Sequence, residues 1–392
     1  MFCMNNPASG TRLSSAARRI SLALATALAL LPGAVLAADS FVFFGSHSKG
    51  PNIGFSLAHF DADTGSLTTP VFLQEAVAPA YFTIHPDGRH LYTCNSDPGS
   101  SVSAYAIDPA TARLTLLNQK PSGGGEPCHV GLDRTGRYLM TANYGAGSIA
   151  VFALQPDGSI GERTAFVQHA GHSVNPERQT QAHAHTIRVD PGNRFALVAD
   201  LGVDKVFVYR FDEKTGSLQP NDPPFASVPP GSGPRHLAFH PDGRQVYVIN
   251  ELSSTIVRFG WDSKRGILTQ FETVSTLPDG FKGTSTCAEV LMHPSGKFVY
   301  ATNRGHDSVA VLSAQAETGR LKLVQHIPTQ GRTPRNCEFD PTGRWLLVSN
   351  HDSNNAVVFR IDLNTGRLTQ TGKPISVPSP FCERFLPAGQ QH

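Results

Sequence analysis

His85-Pro-Asp-Gly-Arg-His-Leu-Tyr-Thr-Cys-Asn95 is a Pro/Gly turn between strand-forming residues, and it returns along the chain at intervals of roughly fifty residues. The copies are Asp133-Arg-Thr-Gly-Arg-Tyr-Leu-Met-Thr-Ala-Asn143, Asp190-Pro-Gly-Asn-Arg-Phe-Ala-Leu-Val-Ala-Asp200, His240-Pro-Asp-Gly-Arg-Gln-Val-Tyr-Val-Ile-Asn250, His293-Pro-Ser-Gly-Lys-Phe-Val-Tyr-Ala-Thr-Asn303 and Asp340-Pro-Thr-Gly-Arg-Trp-Leu-Leu-Val-Ser-Asn350. A second turn keeps step with it, at Thr64-Gly65, Thr111-Ala112, Asp157-Gly158, Thr215-Gly216, Arg265-Gly266, Thr318-Gly319 and Thr365-Gly366. Each second turn lies between two apolar runs such as Ser101–Asp108 and Leu114–Leu117. Gly supplies the positive φ of a hairpin turn and Pro presets its first position, so one repeat reads as four short strands joined by turns. Four strands at this period make one blade of a β-propeller, and seven second turns predict seven blades in an all-β fold.

The seventh blade is split between the two ends of the chain. Phe41–His47 reads as a second strand with no first strand before it, and Pro380–Pro387 as a first strand with nothing after it. Pairing the two completes the last four-stranded blade from the N- and C-terminal strands and removes the open edges of the sheet. The alternatives are an open stack of sheets or two smaller domains, and they explain neither the even spacing nor the complementary ends.

Residues 1–37 read as a secretory leader rather than as part of the fold. Arg12, Arg18 and Arg19 precede the apolar run Ile20–Leu31, followed by Pro32-Gly33 and the small-residue segment Ala34–Ala37. The run is too short to span a membrane, and cleavage after Ala37 leaves residues 38–392 as one propeller domain in the periplasm or secreted. The full chain has 33 basic and 31 acidic residues; the leader takes three basic and no acidic ones, leaving 30 against 31. Nothing in that balance suggests a nucleic-acid or membrane-surface partner, which would need a clustered basic face, and the exported protein is expected to work as a monomer. Cys94, Cys128, Cys287, Cys337 and Cys382 are odd in number and lie mostly on first strands, which predicts buried thiols rather than a disulfide framework. No Cys or His spacing matches a metal site, so neither a metal nor a cofactor is expected.

First strands of a propeller line the central channel, so equivalent repeat positions form rings. Alignment on the His or Asp before the turn brings Ala80-Tyr81, Cys128-His129, His185-Thr186, Arg235-His236, Ala288-Glu289, Arg335-Asn336 and Phe381-Cys382 into register. The second strands add Asn143-Tyr144, Asp200-Leu201, Asn250-Glu251, Asn303-Arg304 and Asn350-His351. His, Arg and Glu thus gather at one end of the channel. His85, His240 and His293 alternate with Asp at one turn position and read as turn caps; Arg89, Arg137, Arg194, Arg244 and Arg344 recur at one position and read as structural. His183-Ala-His185 breaks the pattern, and the segment Gly171–Gln181 before it is longer than its equivalents. Insertions in propellers map to loops on one face, often the working one. Arg, Glu and His converging on a channel mouth suit an anionic, oxygen-rich small molecule, because Arg pairs bidentately with oxyanions and Glu and His move protons.

Ala182-His-Ala-His-Thr186, Gly233-Pro-Arg-His-Leu237, Ala288-Glu-Val290, Thr302-Asn-Arg-Gly-His-Asp-Ser308 and Gly331-Arg-Thr-Pro-Arg335 resemble the β-propeller lactonase family, which includes propeller-type 6-phosphogluconolactonase and 3-carboxy-cis,cis-muconate lactonizing enzyme. The resemblance covers essentially the whole chain after the leader. It implies lactone hydrolysis at the channel mouth, with His185 or Glu251 drawing a proton from water and Arg235 and Arg304 holding the substrate anion and the developing oxyanion. His183, His236, Glu289, Arg335 and His129 are then expected around the substrate, an anionic lactone, with no cofactor or metal. The same residues suit a cycloisomerase, and a propeller that binds a ligand or protein without catalysis remains open. An export leader favours an unphosphorylated or carboxylated sugar lactone over a phosphorylated one.

Overall fold

The computed structural model describes residues 39–46, 53–76, 78–96 and 99–388. The leader read at residues 1–37 and His47 lie outside them. The described residues form seven antiparallel sheets and no helix. Six sheets run in chain order from first to fourth strand, beginning with Pro79–Ile84, Pro127–Leu132, Ala184–Val189, Pro234–Phe239, Thr286–Met292 and Pro334–Phe339; we number these blades one to six.

Blade seven is built from both ends, as the split repeat requires. Ser40–Ser46 pairs antiparallel with Gly54–Asp61 on one side and with Pro380–Pro387 on the other, with Phe41 opposite Leu386 and Phe43 opposite Arg384. Its outer strand comes in two pieces, Ser66–Leu67 and Val71–Glu75, both against Gly54–Asp61. First strands of neighbouring blades touch all the way round, Pro380–Pro387 against Pro79–Ile84 included, so the ring is closed. The core lies between blades: Phe55 and Phe82 meet edge to face at 5.3 Å across the blade seven/one seam, and both are fully buried.

The repeated turn also stitches the blades together. His85, His240 and His293 each accept a turn N–H at Nδ1, from Asp87, Asp242 and Ser295, as their reading as turn caps requires. Each Nε2 then reaches the turn carbonyl of the next blade, at Gly136, Gly296 and Gly343. Three of the five recurring arginines act alike: Arg137, Arg194 and Arg344 donate to the carbonyls of Glu213, Ser263 and Ala62 in the following blade. Losing a neutral hydrogen bond that leaves a buried carbonyl unpaired costs about 1–3 kcal/mol. His240→Ala is therefore expected to lower stability by about 1–2 kcal/mol in denaturant titration without changing the fold by circular dichroism; an unchanged midpoint would show that the stitch contributes nothing.

A bulge common to the first strands sets the channel. In six of the seven the ladder skips one residue: Ala80, Cys128, His185, Arg235, Arg335 or Phe381. In blade five it skips both Ala288 and Glu289. Side chains alternate along an unbroken strand, whereas a bulge re-aims one of them. The skipped residue and the next one can then both face the axis, which is why consecutive positions such as Arg235 and His236 are both channel residues.

Candidate active site

At the mouth formed by the starts of the first strands and the ends of the second strands lies a cavity of about 380 Å³. His185, Glu251, Arg304 and Arg335 line it, with Tyr144 and Arg178 beside them. Glu251 is its centre. The strand Gln245–Asn250 ends just before it, and its N–H donates to the Gly233 carbonyl, which turns the side chain inward. Its Oε1 accepts from Arg178 Nη2 at 2.7 Å; its Oε2 accepts from Arg235 Nε at 3.1 Å and lies 3.0 Å from Arg304 Nη2. Burial alone would raise the pKa of this carboxyl, but Arg304 and Arg235, followed by His185 and Arg178, hold it well below the usual carboxylate range. Glu251 is thus a permanent anion with both oxygens committed, and a poor proton acceptor.

His185 stands at the bulge of blade three, 5% exposed, with Nε2 at 3.9 Å from Glu251 Oε2 and Nδ1 at 3.8 Å from the Cys128 sulfur. Burial, and then the positive field of Arg235, push its pKa well below the ordinary histidine value. The imidazole is neutral in neutral solution and free to take a proton, with a fixed carboxylate close enough to steady the imidazolium.

The arginines divide by how they are engaged. Arg235 is 4% exposed, bonds Glu251 and the Ala288 carbonyl, and lines a recess of about 10 Å³ below the cavity rather than the cavity itself. Arg304 faces the cavity, with Nη2 shared between Glu251 and the Cys287 carbonyl and its buried Nε without a partner. Arg335 has no acidic partner among the described residues; it stacks on the Phe381 ring at 3.7 Å, and its buried Nε is unbonded. Burial and the guanidiniums of Arg235 and Arg304 pull its pKa well below its ordinary value, the signature of a cation without a counter-ion.

Arg178 has no signature of its own in the sequence, although the length of the segment Gly171–Gln181 that carries it marks a departure from the repeat. Asn175 Oδ1 accepts the N–H groups of Glu177 and Arg178, and Gln179 Nε2 anchors the loop to the Leu201 carbonyl. The loop so held sends Arg178 to Tyr144 Oη and Glu251.

His183, His236, Glu289 and His129 do not line this cavity. His183 stacks on Tyr144 at 4.4 Å and bonds its carbonyl, which supports the site from behind. His236, Glu289 and His129 form a layer below: Glu289 bonds His236 Nδ1 and Asn336 Nδ2, each at 2.9 Å, and His129 sits edge-on to His236 and tilted against Tyr81. His129 lines a different cavity, further down the channel. The five cysteines among the described residues are all free; Cys128 is partly exposed at the mouth and the others are buried. One grouping of potential metal ligands occurs among the described residues, His85, Asp87 and His90, and both ring nitrogens of His85 in it are taken by backbone groups. No helix among the described residues is long and apolar enough to cross a membrane.

Comparison with known proteins converges on one family. The model of the seven-bladed β-propeller lactonases matches residues 41–385. A 6-phosphogluconolactonase of Bacillus subtilis is 35% identical over 345 residues, 88% of this chain and 97% of the relative. A 6-phosphogluconolactonase of Formosa agariphila is 31% identical over 346 residues, 86% of this chain and 96% of the relative. The solved structure of a periplasmic gluconolactonase of Pseudomonas aeruginosa superposes with a TM-score of 0.84 at 32% identity, covering 90% of this chain and 100% of that one.

Proposed function

Because this chain belongs to the seven-bladed β-propeller lactonase family, and its 6-phosphogluconolactonase relatives are lactone hydrolases, we propose that it hydrolyses a sugar-acid lactone in the cavity around Glu251. The observation that carries the reading is a buried His185 3.9 Å from a carboxylate fixed by three guanidiniums, with Arg335, which has no acidic partner among the described residues, in the same cavity. His185 accepts a proton as water attacks the ring carbonyl, and Glu251 steadies the resulting imidazolium. The N–H groups of Arg304 meet the oxygen where negative charge develops, the kind of preorganised stabilisation that dominates acyl transfer. The ring C–O bond then breaks, the imidazolium returns its proton to the leaving oxygen, and the open hydroxy acid departs. Arg235 and Arg178 hold Glu251 in place, so they are positioning residues. His236 and Glu289 support His185 from the layer below, where the His185 and His236 rings meet at 5.2 Å.

Arg335 grips an acidic group or the carboxylate of the product. The leader read at residues 1–37, and a relative described as periplasmic, favour an exported enzyme acting on unphosphorylated or carboxylated lactones. A panel of D-glucono-δ-lactone, a carboxylated sugar lactone and 6-phosphogluconolactone tests this. Turnover of the phosphorylated substrate alone would overturn the substrate class, and a flat panel from folded protein would overturn hydrolysis.

Arg335→Gln is expected to raise KM for a carboxylated lactone by about 10- to 100-fold, the weight of one charged hydrogen-bonded contact. KM for a neutral lactone should move much less, and kcat by no more than a few-fold. Equal effects on both substrates would remove Arg335 from anion recognition.

A further inference from the structure

A second cavity, of about 500 Å³, occupies the opposite end of the same channel, where the first strands run into their turns. It shares no lining residue with the mouth cavity, and between them lie the layer of His236, Glu289 and Asn336 and the recess of about 10 Å³, too narrow to pass a ligand. Its wall comes from the second inward position after each bulge, which carries Arg188, Glu338 and Arg384 on three blades but Gly131 and Ala238 on two others. The small residues leave the space, and the charged ones give it a sign.

The cations here are under-compensated. Among the described residues Arg188 makes no ion pair; the one hydrogen bond of its side chain there is a 3.4 Å contact from Nη2 to Tyr81 Oη, and its buried Nε has no partner. Among the described residues the Arg134 guanidinium bonds only the backbone carbonyls of Asp190 and Val189. The carboxylates on the wall are already engaged: Glu338 pairs with Arg384 at 3.0 Å, and Asp133 accepts from Tyr138 N, Thr135 Oγ1 and Asn193 Nδ2. Above them His129, 1% exposed, lines the cavity with neither ring nitrogen bonded. Buried donors without acceptors are rare and costly, and two at one cavity, Arg188 Nε and the N–H of His129, call for a ligand that brings oxygen atoms.

We propose that this cavity is a second, non-catalytic site for a small oxyanion, a carboxylate or phosphate group held by Arg188 and Arg134 with His129 as an additional donor. Arg offers the planar fork that such groups accept bidentately, and the closed layer above keeps the ligand apart from the reacting lactone.

The test is isothermal titration of the full-length protein with inorganic phosphate and, separately, with D-gluconate, using wild type, Arg188→Gln and Arg335→Gln. Wild type is expected to show a binding event for at least one of the anions that weakens tenfold or more in Arg188→Gln and persists in Arg335→Gln. Lactone kcat/KM of Arg188→Gln should stay within about twofold of wild type. Phosphate alone or gluconate alone producing this event identifies the group that is bound. Arg134→Gln serves as a second variant should Arg188→Gln not fold, with the same expectation. Binding that disappears only in Arg335→Gln, or no binding of either anion, would overturn the second site and leave the lactonase reading untouched.

Discussion

Replacing His185 with Gln is expected to lower kcat for lactone hydrolysis by about 10²- to 10⁴-fold, the usual weight of a general base, while KM changes little. The anion grip is separate from this side chain, since Arg304 and Arg335 reach the cavity from blades five and six. The pH profile adds a second readout. A base works unprotonated, and burial together with Arg235 lowers the pKa of His185, so wild-type kcat/KM should hold from neutral pH down through the ordinary histidine range and fall only below it. That acid limb therefore reports the imidazole and should vanish with it. A His185→Gln enzyme within threefold of wild type, with an unchanged acid limb, would show that the ring opens by charge stabilisation alone.

Glu251→Gln should disturb both stability and chemistry. The substitution keeps the shape but leaves Arg178, Arg235 and Arg304 around a neutral amide, and removing one partner of a buried ion pair costs about 3–5 kcal/mol. Unfolding in denaturant should shift accordingly, with Glu251→Asp recovering part of the loss. In catalysis the carboxylate raises the affinity of His185 for a proton, so its removal makes the imidazole a still weaker base and moves the acid limb to lower pH. A fall in kcat of about 10²-fold is expected. Arg304, released from its carboxylate, should at the same time hold the product acid more tightly, so the gluconate inhibition constant should drop as kcat falls. Loss of kcat with weaker gluconate binding would mean that the site had simply collapsed, and an unshifted acid limb would uncouple Glu251 from His185.

The two substitutions together separate the division of labour proposed here from its nearest alternative, in which Glu251 is itself the base. Both carboxylate oxygens of Glu251 are engaged by guanidiniums, whereas among the described residues His185 has no hydrogen bond to a charged group and lies 3.9 Å from that carboxylate. If Glu251 were the base, Glu251→Gln would abolish the acid limb instead of displacing it.

Much of this protein is determined by its sequence alone. The turn around Pro86-Asp87-Gly88 and its copies specify a local strand–turn–strand unit, because Pro and Gly act on their own dihedral angles without any tertiary partner. Repetition then leaves one arrangement that buries both faces of every sheet, and the unmatched strands at Phe41 and Pro380 select the blade that closes the ring. His185, Glu251, Arg304 and Arg335 were legible for a related reason: in a repeat, a residue that departs from its equivalents is visible as a departure. Tertiary structure decided what depends on distance between repeats. Arg178 reaches Glu251 across 73 positions of sequence through a loop whose path no periodicity describes. Arg235, expected to grip the substrate, is turned away from the mouth by its bonds to Glu251 and the Ala288 carbonyl. The common bulge, which places Arg235 and His236 on the axis together, is a feature of pairing rather than of composition, and so left no mark in the pattern. Arg188, between Ile187 and Val189, and Arg384, between Glu383 and Phe385, do not stand out from their repeat positions, and only the closed ring brings their strands around a common space.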